Sequence, residues 1–290
     1  MKTTGTTKVI CIFGDPVAHS LSPVMHNAAF EALNIDMAYV PFHVPADPPG
    51  GLKRAVTAIR ALNIHGLNIT IPHKEKVMSY LDEVDGHALA VGAVNTVVNK
   101  GGSLTGYNTD GEGYLQGLKL EAGFAPKGKK VVVIGAGGAA RSILYSVLLK
   151  KPKEVVLVNR TMPRAASLAR EFERKFGVRI FTAPLERDAL RESARGAHLV
   201  VNTTSIGLSG HGELDFPMEL LPAGAVVSDI VYSPLKTAFL KKASRRGLKT
   251  HDGLSMLVHQ GAIGFKLWTG RKAPVAVMRA AALAVLAARK

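Results

Sequence analysis

Residues 131–141 read VVVIGAGGAAR and place a glycine-rich turn between an apolar run and a helical pattern. Val131–Ile134 is wholly apolar, as is typical of a strand buried on both faces of a parallel sheet. Gly135, Gly137 and Ala140 then follow with the G-x-G-x-x-A spacing of the dinucleotide-binding fingerprint. Such a turn lets the backbone approach a pyrophosphate, and the start of the helix presents N–H groups to that anion. A purely structural turn is the alternative, but the strand and helix on either side favour nucleotide binding.

The second strand of this unit, Glu154–Asn159, ends where a dinucleotide-binding fold contacts the adenosine ribose. An acidic residue there favours NAD, because it binds the ribose 2′-hydroxyl and repels a 2′-phosphate. Here Arg160, Thr161 and Arg164 follow the strand, and residues 155–169 contain no carboxylate. A planar guanidinium binds phosphate with paired hydrogen bonds, so this pattern predicts NADP rather than NAD. Two solvated arginines on a basic face are the alternative.

Length and cysteine content set broad limits on the protein. A chain of 290 residues suits two modest domains with enough apolar residues for a core in each. The single cysteine, Cys11, excludes an intramolecular disulfide and favours a reducing, cytoplasmic location. The opening residues lack the pattern of a signal peptide, and no uncharged apolar run is long enough to span a bilayer.

The basic charge is confined to the later part of the chain. Residues 1–110 hold 8 Lys and Arg against 9 Asp and Glu, and residues 111–290 hold the other 29 against 13. Nucleic-acid binding is a legitimate hypothesis for a chain with a net charge of +15. The basic residues are scattered, however, and no RNA-binding aromatic motif or zinc-finger spacing occurs. We therefore expect no nucleic-acid partner, and a basic half also attracts an anionic dinucleotide.

Strand and helix patterns alternate along the chain, which predicts an α/β fold with largely parallel sheets. In the first part, the expected strands are Val9–Phe13, Met37–Phe42 and Leu67–Ile71, the expected helices are Pro23–Leu33, Leu52–Leu62 and Lys74–Leu81, and the expected hairpin is Val94–Asn99 with Ser103–Tyr107. After Gly111 the expected strands are Val131–Ile134, Val155–Val158, Arg179–Thr182, Leu199–Asn202 and Ala225–Ile230. The C-terminal stretch, Leu254–Trp268 and Val275–Ala288, is predicted to be helical and to pack back on one of the two domains.

Reducing a carbonyl with a nicotinamide requires a proton donor, and the chain offers few familiar arrangements. One cysteine and the absence of histidine pairs at metal-binding helical spacing predict no metal. Tyr232 and Lys236 have the spacing of the helical Tyr-Lys pair of short-chain dehydrogenases, but Pro234 lies between them and breaks a helix.

Lys74 and Asp110 are better candidates for proton transfer. Lys74 follows a strand and Pro72, which predicts a place in the first turn of a helix. The positive end of a helix disfavours a charged lysine and a facing carboxylate favours it, so such a pair can exchange a proton. Asp110 lies at the expected domain junction, where clefts form. His73 is expected to be exposed, because adjacent helical residues point in different directions.

Motifs along almost the whole chain resemble those of the shikimate dehydrogenases, in the same order. In the first part they are His19-Ser20-Leu21-Ser22-Pro23, His26-Asn27, Asn68-x-Thr70-x-Pro72-x-Lys74, Ala93-x-Asn95-Thr96 and Asn108-Thr109-Asp110-Gly111. In the second they are Gly135-Ala136-Gly137-Gly138-Ala139, Asn159-Arg160-Thr161, Asn202-Thr203-Thr204-x-x-Gly207, Asp229-x-x-Tyr232-x-Pro234-Leu235-x-Thr237 and Asp252-Gly253-x-x-Met256-Leu257-x-x-Gln260.

The resemblance implies a reaction, an architecture and a set of site residues. The family reduces 3-dehydroshikimate to shikimate with NADPH in aromatic amino acid biosynthesis. The implied architecture is a substrate domain over 1–110, a Rossmann NADP-binding domain over 111–252, and C-terminal helices over 253–290 that return to the substrate domain. Lys74 and Asp110 would handle the proton, and the substrate-binding residues would be Ser20, Ser22, Asn68, Thr70, Asn95, Asp110, Tyr232 and Gln260. The cofactor-binding residues would be Gly135, Ala136, Gly137, Gly138, Ala139, Asn159, Arg160, Thr161, Arg164, Thr204, Gly253 and Met256.

Two other functions fit parts of this pattern. A quinate/shikimate dehydrogenase would accept a broader range of substrates and NAD; its relatives that use NAD commonly carry an acidic residue where Thr161 stands here. A non-catalytic nucleotide sensor could dispense with Lys74 or Asp110, but both are present. The family includes monomers and dimers, so either oligomeric state is expected.

Overall fold

Two six-stranded sheets organise the chain, and the computed structural model describes residues 3–289. Unit 1 comprises the residues up to Gly113 together with those from Leu257 onward, and unit 2 is Tyr114–Met256. Both points of division fall inside helices, so the chain passes from one unit to the other without a loop.

The sheet of unit 1 is mixed. Its strands are β1 (Lys8–Gly14), β2 (Met37–His43), β3 (Gly66–Ile69), β4 (Glu83–Val84), β5 (Thr96–Lys100) and β6 (Ser103–Tyr107), in the order β2-β1-β3-β5-β6-β4. β1 pairs in parallel with β2 and β3, whereas β5 is antiparallel to both β3 and β6. Its helices are α1 (Ser22–Ala32), α2 (Gly51–Ala61), α3 (Gly86–Val91) and the start of α4 (Asp110–Ala122). The hairpin prediction is confirmed by the antiparallel β5–β6 pair.

The segment after β3 differs from the prediction. A helix over Lys74–Leu81 was expected, but the chain forms turns through residue 75 and then a short 3₁₀ helix, Lys76–Tyr80. The placement of Lys74 in the first turn of a helix is therefore wrong. The expectation that His73 is exposed is also wrong, because it rested on helical geometry. The residue is 4% exposed, and its Nε2 lies 2.6 Å from the Val44 carbonyl oxygen.

The sheet of unit 2 is entirely parallel. Its strands are β7 (Lys130–Ile134), β8 (Glu154–Asn159), β9 (Phe181–Pro184), β10 (Leu199–Asn202), β11 (Val226–Asp229) and β12 (Lys249–His251), in the order β12-β11-β10-β7-β8-β9. This is the doubly wound order of dinucleotide-binding folds, whose ligands bind at the carboxyl ends of the strands where the order reverses. That point lies between β7 and β10. The helices are α5 (Gly138–Leu149), α6 (Met162–Phe176), α7 (Arg187–Ala194) and α8 (Ala238–Arg245).

Strand β7 shows why the quoted apolar run decides this fold. Val131 and Val133 pack into one apolar cluster, and Val132 and Ile134 pack into another. All four side chains are fully buried, and each contributes roughly 1.5–3 kcal/mol by leaving water. A strand with two buried faces has to lie inside a sheet covered on both sides, as the apolar run predicted.

The last two helices are α9 (Gly253–Thr269) and α10 (Val275–Ala288). The residues of α9 from Leu257 onward, together with α10, belong to unit 1, where α10 packs against α1. At the end of α9, the Trp268 indole donates to the Val97 carbonyl oxygen at 3.0 Å, and the Trp268 carbonyl oxygen lies 3.0 Å from His65 Nε2. None of the described helices combines the length and apolarity needed to cross a lipid bilayer.

Candidate active site

A buried ion pair lies at the carboxyl end of β3 in unit 1. Lys74 Nζ is 2.6 Å from Asp110 Oδ2, and the two side chains are 13% and 5% exposed. The Lys74 carbonyl oxygen accepts from the Val94 amide at 2.8 Å, which holds the turn that carries the lysine. Asp110 is the first residue of α4, where the positive end of the helix stabilises a carboxylate. The structure therefore keeps an ammonium group at the edge of solvent beside an anchored carboxylate.

Amide and hydroxyl side chains surround this pair. Asn95 Nδ2 donates to Asp110 Oδ1 at 2.8 Å and also lies 2.9 Å from Thr109 Oγ1 and 3.2 Å from Gln260 Oε1. Asn68 Nδ2 donates to the Asn95 carbonyl oxygen at 2.9 Å. Asn68, Lys74, Asn95, Asp110 and Gln260 thus form one continuous network, built from β3 and the turn after it, the residue before β5, the start of α4, and α9.

Four other residues are expected to bind substrate, and three of them, Ser20, Ser22 and Thr70, lie in unit 1. Ser20 Oγ accepts from the Ser22 amide at 3.2 Å, which shapes the loop that leads into α1. Thr70, directly after β3, donates its amide to the Phe13 carbonyl oxygen at 2.9 Å. Tyr232 belongs to unit 2, in the segment after β11. Among the described residues, the structure gives no direct hydrogen bond from the Ser20 or Thr70 side chain to the Lys74–Asp110 pair.

The glycine turn after β7 has the shape that an anion site requires. Gly135 has φ +116°, and a Cβ there would stand 2.5 Å from Thr203 Oγ1, so both backbone conformation and space exclude a larger residue. Ala140 is fully buried where α5 passes the sheet. Helix α5 has no side-chain cap, and Gly138 and Ala139 in its first turn remain partly exposed. Uncapped N–H groups at an accessible helix start can bind a phosphate.

The arginines expected at the adenosine end occupy the end of β8 and the start of α6. Asn159 Nδ2 donates to the Thr161 carbonyl oxygen at 2.9 Å and closes a tight turn around Arg160. Arg160, Thr161 and Arg164 are all exposed, and helix α6 also begins without a side-chain cap. The described residues thus place two guanidinium groups near a helix start that favours negative charge.

The segment after β10 is fixed by a buried carboxylate. Asn202 Oδ1 accepts from the amide and the hydroxyl of Thr204, and Asn202 Nδ2 donates to Asp229 Oδ1 at 3.0 Å. The Thr237 hydroxyl donates to Asp229 Oδ2 at 2.7 Å, and the Val231 amide donates to Oδ1 at 3.0 Å. Burial raises the pKa of Asp229 to about 6, although these three donors oppose the shift. Gly253 and Met256, also expected at the cofactor, lie in the first turn of α9.

Sequence reasoning missed several side chains of both networks. Tyr39, Thr96 and Thr109 bond to the network residues of unit 1, and Asp229 organises the Thr204 segment of unit 2. The quoted motifs contained Thr96, Thr109 and Asp229, and their position inside those motifs was the available signal. Tyr39 lies in no quoted motif.

Comparison with known proteins gives the family. Its models match the "Shikimate dehydrogenase substrate binding domain" at residues 12–97, "Shikimate / quinate 5-dehydrogenase" at 119–205 and the "Shikimate 5'-dehydrogenase C-terminal domain" at 253–283. A shikimate dehydrogenase (NADP(+)) of Symbiobacterium thermophilum is 48% identical over 97% of this chain and 96% of its own length. This chain belongs to the shikimate dehydrogenase family.

Solved members of the shikimate dehydrogenase family share the architecture. The Thermus thermophilus enzyme, solved with NADP(H) and shikimate, is 40% identical, with 96% of this chain and 99% of that one covered and a TM-score of 0.84. A Corynebacterium glutamicum quinate dehydrogenase, solved with NAD, is 31% identical, with 96% and 99% covered and a TM-score of 0.87. The expected fold class is confirmed: an α/β protein with an N-terminal substrate domain and a Rossmann-like NADP domain.

Proposed function

We propose that this chain catalyses the reversible, NADPH-dependent reduction of 3-dehydroshikimate to shikimate, with Lys74 and Asp110 handling the proton. The chain is an NADP-dependent oxidoreductase of the shikimate pathway, as its full-length relatives are. The observation that carries the proton assignment is the 2.6 Å contact between Lys74 Nζ and Asp110 Oδ2, made in a largely buried position.

The proton chemistry follows from what each group can do. Reduction adds a hydride to the carbonyl carbon and a proton to its oxygen, and a lysine ammonium at the edge of solvent can donate that proton. Asp110 keeps the ammonium in place, and Asn95 keeps Asp110 in place through Oδ1. In the direction of oxidation, neutral Lys74 takes the proton from the substrate hydroxyl, and Asp110 stabilises the charge that forms.

Unit 1 carries side chains suited to the substrate. Shikimate has one ring carboxylate and three ring hydroxyls, which Ser, Thr, Asn and Gln can bind without a buried charge of their own. We assign the carboxylate to Ser20 and Ser22, with Tyr232 near it. The hydroxyls are assigned to Asn68, Thr70, Asn95, Asp110 and Gln260. A site that reads hydroxyls by hydrogen bonding rejects an analogue that leaves its polar groups unpaired.

Unit 2 carries the groups that fit NADP. The glycine turn from Gly135 to Ala139 and the uncapped start of α5 fit the pyrophosphate. The cluster of Asn159, Arg160, Thr161 and Arg164 fits the 2′-phosphate. The remaining cofactor contacts are assigned to Thr204, Gly253 and Met256. When bound, NADPH supplies the hydride for the reduction.

The domain roles and cellular setting belong to the same proposal. We assign substrate binding to residues 1–110 and cofactor binding to residues 111–252, with residues 253–290 completing the substrate domain. The free, buried thiol of Cys11 supports a cytoplasmic location, where cysteines stay reduced. A monomer and a homodimer both remain compatible with this function.

The test compares initial rates of shikimate and quinate oxidation, each with NADP and with NAD. We expect high turnover only with shikimate and NADP, because two arginines and no carboxylate follow β8. Comparable rates with quinate and NAD would instead assign the chain to the broader quinate/shikimate type. No turnover with either substrate would overturn the proposed reaction.

A further inference from the structure

A chain of hydrogen bonds leads from the catalytic carboxylate to a buried tyrosine. Asn95 Nδ2 donates to Asp110 Oδ1, and Asn95 Oδ1 accepts from the Thr96 hydroxyl at 3.1 Å. Thr96 Oγ1 accepts from Asn68 Nδ2 at 3.1 Å, and Asn68 Oδ1 accepts from the Tyr39 hydroxyl at 2.7 Å. Every link lies within unit 1.

The direction of this chain is fixed at two points. A paired carboxylate only accepts, so Asn95 has to turn its NH₂ group toward Asp110. The Asn95 carbonyl oxygen also only accepts, and it lies 2.9 Å from the Asn68 amide nitrogen. Asn68 therefore has to turn its NH₂ group toward Asn95 and Thr96, and its oxygen toward Tyr39. If the Asn68 amide were flipped, its side-chain oxygen would face the Asn95 carbonyl oxygen with no hydrogen between them.

The Asn68 side chain keeps one unused hydrogen-bonding position. Both of its N–H groups have partners in the protein, and one lone pair of Oδ1 receives the Tyr39 hydroxyl. None of the described residues bonds to the second lone pair of Oδ1. Toward a ligand, Asn68 can accept a hydrogen bond and cannot donate one.

Tyr39 is held firmly enough to keep its hydroxyl on Asn68 Oδ1. Its ring stacks on the His26 ring at 4.7 Å between centroids and an angle of 6°. Its backbone is bonded on both sides by Asn27, which donates to the Tyr39 carbonyl oxygen at 3.0 Å and accepts from its amide at 2.7 Å. Burial lowers the pKa of His26 to about 3, so the ring is neutral and serves as a flat packing surface. Neither ring nitrogen of His26 bonds to another described residue.

We propose that Tyr39 is a positioning residue that sets hydroxyl specificity, because its hydroxyl occupies one lone pair of Asn68 Oδ1 and leaves the other to accept from one substrate hydroxyl. The His26-Asn27 pair of the quoted motif then acts through Tyr39, since one residue supports its ring and the other its backbone. This inference rests on the proposed function, in which Asn68 binds a ring hydroxyl.

The first test is Tyr39→Phe, which removes one oxygen atom and keeps the ring stack. The KM for shikimate rises about 5- to 10-fold, the size of effect expected for one lost hydrogen bond in a binding site. The kcat and the Kd for NADP stay close to wild type, because neither Lys74 nor unit 2 is altered. Tyr80→Phe is the control, since it removes the same atom from another tyrosine of unit 1 and should change none of these constants. An unchanged KM in Tyr39→Phe overturns the proposal.

The second test uses shikimate analogues in which one ring hydroxyl at a time is replaced by fluorine, which cannot donate. Wild type binds one of the three analogues at least about 10-fold more weakly than shikimate, and Tyr39→Phe reduces that discrimination to about 3-fold or less. Binding is measured as the ligand-induced rise in Tm. A merely structural role of Tyr39 would lower the Tm and leave the discrimination unchanged.

If Tyr39→Phe fails to fold, binding of the three fluorinated analogues to wild type still tests the proposal. Equal binding of all three fluorinated analogues and shikimate to wild type would overturn it. Failure of the proposed function looks different, because wild type would then not oxidise shikimate at all.

Discussion

Removing the Lys74 ammonium while keeping the side-chain length gives the most direct test of the proton assignment. Lys74→Met leaves the Asp110 carboxylate 5% exposed, with Asn95 Nδ2 as its remaining side-chain donor. Breaking a buried ion pair by removing one partner costs about 3–5 kcal/mol. The start of α4 still supports the carboxylate and Lys74 is 13% exposed, so we expect the lower end, about 3 kcal/mol.

The catalytic effect is separate from this loss of stability. Losing a positioned proton donor lowers kcat by about 10²–10⁴-fold. The KM for shikimate should change much less, because the hydroxyl and amide side chains of the site remain. The assay is steady-state kinetics in both directions, with urea unfolding at the same pH.

A double variant, Lys74→Met with Asp110→Asn, separates the two effects. It removes the unpaired carboxylate, so stability should recover in part while kcat stays low. If the single variant keeps kcat within about threefold of wild type, Lys74 is not the proton donor, whatever its stability. If the double variant regains activity together with stability, the loss in Lys74→Met was structural.

Three further outcomes follow from unit 2. Arg160→Ala should raise the KM for NADPH at least about 10-fold and leave the KM for NADH nearly unchanged. Arg195→Ala, at another exposed arginine, is the control and should alter neither KM. Equal weakening of both cofactors in Arg160→Ala would make Arg160 structural. Gly135→Ala should abolish NADP binding and lower the Tm much more than Gly128→Ala does. Gly128 shares the positive φ, but a Cβ there would meet no neighbouring atom. Equal losses of Tm in the two variants would contradict the steric argument. Because the pKa of Asp229 is raised from 3.8 to about 6, the native state binds more protons than the unfolded state between these values, and this residue makes stability fall as the pH rises through about 6. From pH 5 to 7.5 that fall is about 1.4 kcal/mol by urea unfolding, and Asp229→Asn should remove it; the same pH dependence in both proteins would contradict the assignment.

Periodicity predicted the long elements, because their burial follows a regular spacing. Helix α2 buries Leu52, Val56 and Ile59 on one face, and β7 is buried on both. Strands β4 and β12 were missed, since two or three residues are too few to show an alternation. The turn at Lys74 was mistaken for a helix because a proline at a helix start and a proline in a turn look alike in sequence.

Some residues of the candidate site could likewise be predicted from the sequence, and others could not. Residues such as Lys74 and Asp110 could be selected from the sequence because they stand in motifs that resemble a family. Tyr39 could not be selected in this way, since its partner Asn68 lies two strands away in the sheet. The order of strands in a sheet cannot be deduced from the spacing of residues along the sequence. β1 separates β2 from β3: Ile10 pairs with Tyr39, and Ile12 pairs with Asn68. Tyr39 and Asn68 therefore project from the same face of the sheet, and the long tyrosine side chain reaches across the intervening strand β1.

Unit 1 is split in the chain, and this has a consequence for its synthesis on the ribosome. The Trp268 indole bonds to Val97, and its ring lies against His26 and Tyr39, so the core around the proposed specificity residue includes a side chain made after all of unit 2. At about 5–20 residues per second, the first 113 residues wait roughly 8–30 s for that tryptophan. Unit 2 is contiguous and can complete its own core during the wait. We therefore expect the nascent substrate domain to be the part of this protein that exposes apolar surface longest during synthesis.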